Sequence, residues 1–197
     1  MAKQDLYHKL NIEDVLASLI SIKDERKITE TIKLRKKATD NVIDRFEKQF
    51  DLSFPEDYKR FLRLSNGVKI DDIDLDGLTN NLYNFIYVAD DEREREFPII
   101  RLSLGNTGDY VVMNLKKPTG AKNPDRRDIL DIPNGTEEGV VIAKTFTEFL
   151  YRMLEGLKKP HPEDSTANML HYWLMQDFKG YREYLGTQFD EYKPVKK

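Results

Sequence analysis

The sequence predicts an α+β fold, a single domain in which a mixed or antiparallel sheet is flanked by helices and extended by an extra helix at each end. Three observations predict it. Residues 41–67 read as two helices joined by a tight break. Short apolar runs between Val68 and Ala143, separated by turn-forming clusters, read as strands. From Thr145 the apolar residues return to helical spacing. Helices therefore flank a block of strands instead of alternating with them, which argues for α+β rather than a doubly wound α/β sheet. The 197 residues are enough for one domain with a full core.

Ile12, Val15, Leu16, Leu19 and Ile20 share one helical face behind Asn11, a favourable N-cap. Lys23 to Lys37 is dense in charge, with Ile28, Ile32 and Leu34 as its apolar points, and reads as a solvated helix or a linker. Residues 1–37 are thus expected to be an N-terminal helical extension. Val42, Ile43, Phe46 and Phe50 mark the next helix after an Asp40-Asn41 start. Leu52-Ser53-Phe54 breaks its period. Pro55 suits a first helical position, and Glu56 and Asp57 place negative charge where the helix dipole favours it. Tyr58, Phe61, Leu62 and Ser65 form one face, opposite Lys59, Arg60 and Arg63. Asn66-Gly67 tolerates the left-handed conformation that ends a helix.

Val68, Ile70 and Leu75 indicate short strands, and Asn80-Asn81 a turn. Phe97–Leu104 and Tyr110–Leu115 read as a hairpin around Gly105-Asn106-Thr107-Gly108. Lys116 to Asp128 is a polar loop with Pro118, Gly120 and Pro124. Ile129–Ile132 and Gly139–Ala143 are further strands around Pro133-Asn134-Gly135. Thr145 and Glu148 form a capping-box pattern, followed by Phe146, Phe149, Leu150, Met153, Leu154 and Leu157 at helical spacing. Lys158 to Pro162 interrupts the chain. A last helix, about Ser165 to Leu185, carries Met169, Leu170, Trp173, Leu174, Phe178, Tyr181 and Leu185, before a lysine-bearing tail. The division is an extension over 1–37, a core over 38–158, and a C-terminal helix and tail over 159–197 that packs on the core.

Composition narrows the function classes. Hydrophobic residues make up 39% and charged ones 34%, and the net charge is −3, which argues against a basic nucleic-acid-binding domain. Cysteine is absent, which excludes a disulfide framework, a thiolate metal site and cysteine catalysis. The first residues contain no signal-peptide run and no segment reaches transmembrane length, so a cytoplasmic protein without a membrane partner is expected.

Phe54-Pro55-Glu56-Asp57-Tyr58-Lys59-Arg60-Phe61-Leu62 with Ser65-Asn66-Gly67 resembles the opening signature of the SUKH superfamily, the Smi/Knr-type domain. Gly108-Asp109-Tyr110-Val111-Val112-Met113-Asn114 is similar to its Gly-Asp strand. Val140 to Leu150 is similar to its closing strand and helix. The resemblance covers about residues 38–158, with Phe54 standing where Leu is usual before the proline. It implies a small α+β domain. In bacteria it implies an immunity protein that neutralises a cognate toxin, often a nuclease, by stoichiometric binding. For fungal Smi/Knr-type relatives it implies a regulatory scaffold of the cell wall.

Carboxylates supply the sharpest candidate site. Asp72-x-Asp74-x-Asp76-Gly77 matches the opening of a calcium loop, but the twelfth position, which needs a bidentate Glu, is Tyr83. An acidic turn between strands is the plainer reading. Asp90, Asp91, Glu92, Glu94 and Glu96 form a second acidic run. Joined with Asp71, Asp72, Asp74 and Asp76 it makes an acidic face able to steer a basic protein partner. Asp71, Asp72, Asp74, Asp76, Asp90, Asp91, Glu92 and Glu94 are therefore the predicted contact residues, against the alternative of a merely solvated charge run.

Other constellations lead nowhere catalytic. His8, His161 and His171 stand far apart and lack metal-ligand spacing. No G-x-S-x-G elbow occurs. Gly105 to Asp109 lacks the Lys-Ser/Thr ending of a phosphate loop. Lys116, Lys117, Lys122, Arg126 and Arg127 line a loop without the interleaved aromatics of a single-strand binder, and read as a mobile surface loop. Tyr172 and Trp173 suit packing on the core or an interface. The expectation is a non-enzymatic protein-binding domain with no cofactor, no metal, no catalytic residue and no nucleic-acid partner.

Overall fold

Regular hydrogen bonding follows the apolar periodicity closely. The structure, a computed structural model, describes residues 10–26, 32–70, 73–78, 99–104, 110–117, 119–132 and 140–157. These form helix α1 (Ile12–Arg26), strand β1 (Lys33–Leu34), helices α2 (Asp40–Phe50) and α3 (Glu56–Leu64), strands β2 (Val68–Ile70), β3 (Ile73–Leu75), β4 (Ile99–Leu104), β5 (Tyr110–Asn114), β6 (Ile129–Ile132) and β7 (Val140–Ala143), and helix α4 (Phe146–Leu157).

Local chemistry accounts for the ends of the helices. Asn11 Oδ1 accepts the Glu13 N–H at 3.1 Å, the expected cap of α1. Asp51, in the left-handed region at φ 50°, closes α2. The Glu47 carboxylate then spans the joint to α3, accepting the Phe54 N–H at 2.7 Å and approaching Lys59 Nζ at 2.8 Å. Pro55 is the N-cap of α3 and not its first residue. Thr145 Oγ1 accepts the Glu148 N–H at 3.0 Å, as a capping box requires. The Glu148 carboxylate turns instead to the Lys144 N–H, at 3.0 Å, and to Arg152.

The seven strands pair in sequence order, every pair antiparallel, as one meander. A bulge between Arg101 and Ser103 shifts the β4–β5 register. Alternation assigns the two faces. Val68, Ile70, Leu75, Ile100, Leu102, Met113, Ile129, Ile142 and Ala143 join Ile43 and Phe46 of α2, Tyr58, Phe61 and Leu62 of α3, and Phe146, Phe149, Leu150, Met153, Leu154 and Leu157 of α4 in a single hydrophobic cluster. Register places Lys69, Asp74, Arg101, Val112, Leu130 and Val141 on the opposite face.

One departure from the expected elements has a clear cause. The charged stretch Lys23–Lys37 contains a strand: β1 exists because its backbone pairs with β2, Leu34 opposite Val68, and local propensity does not reveal such pairing. Helix α1 packs on the core, since Ile12, Val15, Leu16 and Leu19 belong to the main cluster, beside α3 and α4. Ile20, expected on that face, is 41% exposed. No described helix is long and apolar enough to cross a membrane.

Candidate functional site

The signature residues are consumed by the scaffold. Ser65 Oγ accepts the Arg35 N–H at 3.0 Å and donates to the Gly67 carbonyl, tying the end of α3 to β1 and β2. The Asn66 amide pairs with Leu78 like a strand neighbour. Its Oδ1 accepts the Leu78 N–H at 2.6 Å and its Nδ2 donates to the Leu78 carbonyl at 2.8 Å. Gly67 sits at φ +99°, and a Cβ there would lie 2.7 Å from the Leu75 carbonyl oxygen. Both the backbone conformation and the close approach of β3 demand glycine.

Asp57 links two helix N-termini. Its Oδ1 accepts the Tyr58 N–H at 2.8 Å, and its Oδ2 accepts the Thr147 N–H at 2.9 Å and the Thr147 hydroxyl at 3.1 Å. The carboxylate of α3 is thus a cap for α4, across 90 residues of sequence. Burial pushes its pKa up to about 6, against the Thr147 backbone bond that pulls it down, with the Asp125 charge adding to the rise. Asp125 Oδ1 in turn accepts the Glu56 N–H at 2.9 Å, so α3 is capped by the loop before β6. Arg127 of that loop is buried too. It donates to the Pro124 and Arg126 carbonyls at 3.2 and 2.8 Å, and its Nε has no partner among the described residues. Burial pushes its guanidinium down, while Asp125 and Asp57 hold it up. The segment expected to be a mobile basic loop is, over 121–128, a structural piece of the α3–α4 junction.

Tyr58 fills the centre of this junction. Its ring meets Phe54 and Phe146 edge-on, with centroids 5.4 and 4.8 Å away. Its phenol is buried with no partner among the described residues. Burial, then the field of Asp76, pushes that phenol up. Tyr58→Phe removes a polar atom that has no hydrogen-bond partner among the described residues. Its urea midpoint is expected to equal or exceed that of the wild type, within about 1 kcal/mol. A loss above that figure would reveal a hydrogen bond to the phenol.

The predicted contact residues that the structure describes lie on the sheet face opposite the helices. Of the predicted contact residues, Asp74 and Asp76 stand at this face. Asp71, Asp72, Asp90, Asp91, Glu92 and Glu94 lie outside the described residues, as does the Gly108-Asp109 turn. Asp74 pairs with Arg35. Asp76 Oδ2 accepts both Arg101 Nε, at 3.1 Å, and Arg101 Nη2, at 2.9 Å. Burial raises the pKa of Asp76, Arg101 lowers it through charge and hydrogen bond, and neighbouring Asp74 raises it again. Both carboxylates are therefore neutralised locally by arginines. Lys33 and Lys69 face each other across β1 and β2, both exposed. The β1–β4 part of this face, as far as it is described, is a mixed, ion-paired surface rather than a purely acidic one. Arg35 and Arg101 carry no local signal in the sequence, because their partners lie 39 and 25 residues away. Among the described residues no cluster of His, Asp and Glu is placed to hold a metal ion.

A helix layer on one face of an antiparallel meander, with its signature side chains bonded into the scaffold, defines a single α+β domain of the SUKH type. The profile of the SMI1 / KNR4 family (SUKH-1) matches residues 37–152, and the chain belongs to that family. Comparison with curated proteins returned no match.

Proposed function

We propose that this protein is a non-catalytic, stoichiometric binder that neutralises a cognate toxin domain. Membership of the SMI1 / KNR4 family carries the reading. The arrangement of charges is consistent with it: among the described residues, Asp57, Asp125, Glu148 and Arg127 serve helix caps and loop closure, and the Thr147 hydroxyl bonded to Asp57 is buried inside the α4 cap. The contact surface is the charged part of the open sheet face around Asp74 and Asp76, with Asp71, Asp72, Asp90, Asp91, Glu92 and Glu94 from the neighbouring segments. Such a surface steers an oppositely charged partner and mainly sets its association rate. The protein acts within the cytoplasm and needs no cofactor.

The test is capture of the C-terminal domain of a modular toxin encoded next to this protein. A one-to-one complex that abolishes toxicity is expected. Charge reversal at Asp72, Asp74 and Asp76, and separately at Asp91, Glu92 and Glu94, should slow association about tenfold or more at low salt while the fold persists by circular dichroism. Capture without protection would sink the neutralisation reading. Unchanged association in both variants would move the contact surface elsewhere. The resemblance to Smi/Knr-type proteins also leaves a regulatory scaffold as the second reading. Recovery of cell-wall regulators in place of a toxin domain would select it.

A further inference from the structure

The two halves of the open sheet face differ in chemistry. On β2 and β3, apolar residues point inward and Lys69 and Asp74 outward, the pattern of an antiparallel sheet solvated on one side. On β5 to β7 that alternation fails. The outward residues Val112, Leu130 and Val141 form one cross-strand row, with Ile132 two residues beyond Leu130 on the same face. None of the four belongs to the helix-side cluster. Val112 is nevertheless only 3% exposed. Its cross-strand neighbour Arg101 is bonded to Asp76, on the β3 side, and strands apolar on both faces are strands covered on both faces. The buried apolar residues of α1 to α4 all lie in the other cluster, so no described helix supplies this roof.

We propose that segment 165–185 of this same chain docks on the Val112–Leu130–Val141 row. The row lies on the last three strands, and the segment follows β7 and α4 in the chain. Met169, Leu170, Trp173, Leu174, Phe178, Tyr181 and Leu185 give it an apolar stripe at helical spacing. As a helix, that stripe is about 24 Å long, against about 10 Å from β5 to β7, so it crosses the whole row. The other apolar run outside the described residues, 82–88, joins β3 to β4, whose outward positions carry Asp74 and Arg101. This assignment stands apart from the partner proposal, which uses the charged half of the face.

Trp173 is the single tryptophan of the chain, so its emission reports on this contact in the intact protein. In the wild type the emission is expected to be blue-shifted from that of free tryptophan and shielded from acrylamide. Leu130→Glu and the milder Leu130→Asn should shift it to the red and raise the quenching constant severalfold, with far-ultraviolet circular dichroism retained. Lys69→Glu, on the charged half, should change neither. A solvent-like Trp173 in the wild type, or emission unmoved in a folded Leu130 variant, would overturn the assignment. Emission that reddens on dilution, as a dimer dissociates in sedimentation, would overturn it in favour of a second copy of the chain.

Discussion

Asp57→Ala is expected to lower the unfolding free energy by about 2–4 kcal/mol, read from urea midpoints at neutral pH. The loss has a definite origin. The Thr147 N–H, the Thr147 hydroxyl and the Tyr58 N–H all donate to this carboxylate in a buried setting, and alanine leaves them without an acceptor. Each such group costs about 1–3 kcal/mol when stranded. Relief of a buried negative charge offsets part of that sum, because ionised Asp57 is itself disfavoured. Its pH signature separates the two contributions. The folded-state pKa is raised, from 3.8 to about 6. Below 3.8 the group is protonated in both states. Between 3.8 and about 6 the folded protein holds a proton that the unfolded chain has released, so stability falls as pH rises through this window. The interval corresponds to about 3 kcal/mol. Asp57→Asn does not titrate there. The wild type should therefore lose about 3 kcal/mol relative to Asp57→Asn between about pH 3 and pH 7, whatever the other carboxylates do, since those cancel in the difference. Parallel stability curves over that range would sink the account of a buried, charge-strained cap.

That one residue also shows what is legible in the sequence. Asp57 reads locally as a favourable charge in the first turn of α3, which is true of its position. Its main work is to cap α4, and the partner in that contact, Thr147, stands 90 residues away. The same division runs through the molecule. Helices α2, α3 and α4 are legible because Phe46, Tyr58, Phe61, Phe149 and Met153 repeat at helical spacing and bury one face each. Strands β2 and β3 are legible from strict alternation. Strand β1 is not, because two residues inside a run of lysines become a strand only by pairing with β2. Asp74 and Asp76 stand out as exposed-looking carboxylates, yet Arg35 and Arg101 neutralise them through contacts that only the sheet creates. The apolar outward row of β5 to β7 does leave a trace, in unbroken runs such as Tyr110-Val111-Val112-Met113 and Val140-Val141-Ile142-Ala143, where a one-sided strand would alternate.

Gly77→Ala is expected to cost at least about 3 kcal/mol, whereas Gly120→Ala should cost only about 1 kcal/mol. The two glycines look equally dispensable in the sequence, and they differ in what surrounds them. Gly120 has φ +75° with nothing within 4 Å of where a methyl group would stand, so alanine there meets only the intrinsic penalty of the left-handed region. At Gly77 an added Cβ would run into the carbonyl oxygen and carbon of Asn66. These are backbone atoms, which no rotamer change can move aside. Relief requires the chain after β3 to retreat from the end of α3, and Asn66 is the residue whose side chain clasps Leu78 at 2.6 and 2.8 Å. Retreat therefore breaks that clasp as well, and strands both the Leu78 N–H and its carbonyl. It also loosens Asp76, which donates its N–H to the Leu102 carbonyl at 2.7 Å and binds Arg101. Damage at Gly77 should consequently spread to the charged sheet face, seen as faster amide exchange at Asp76 and Leu78. Similar costs for the two substitutions would show that the clasp yields freely, and that α3 and β3 are less tightly joined than the Asn66–Leu78 pairing implies.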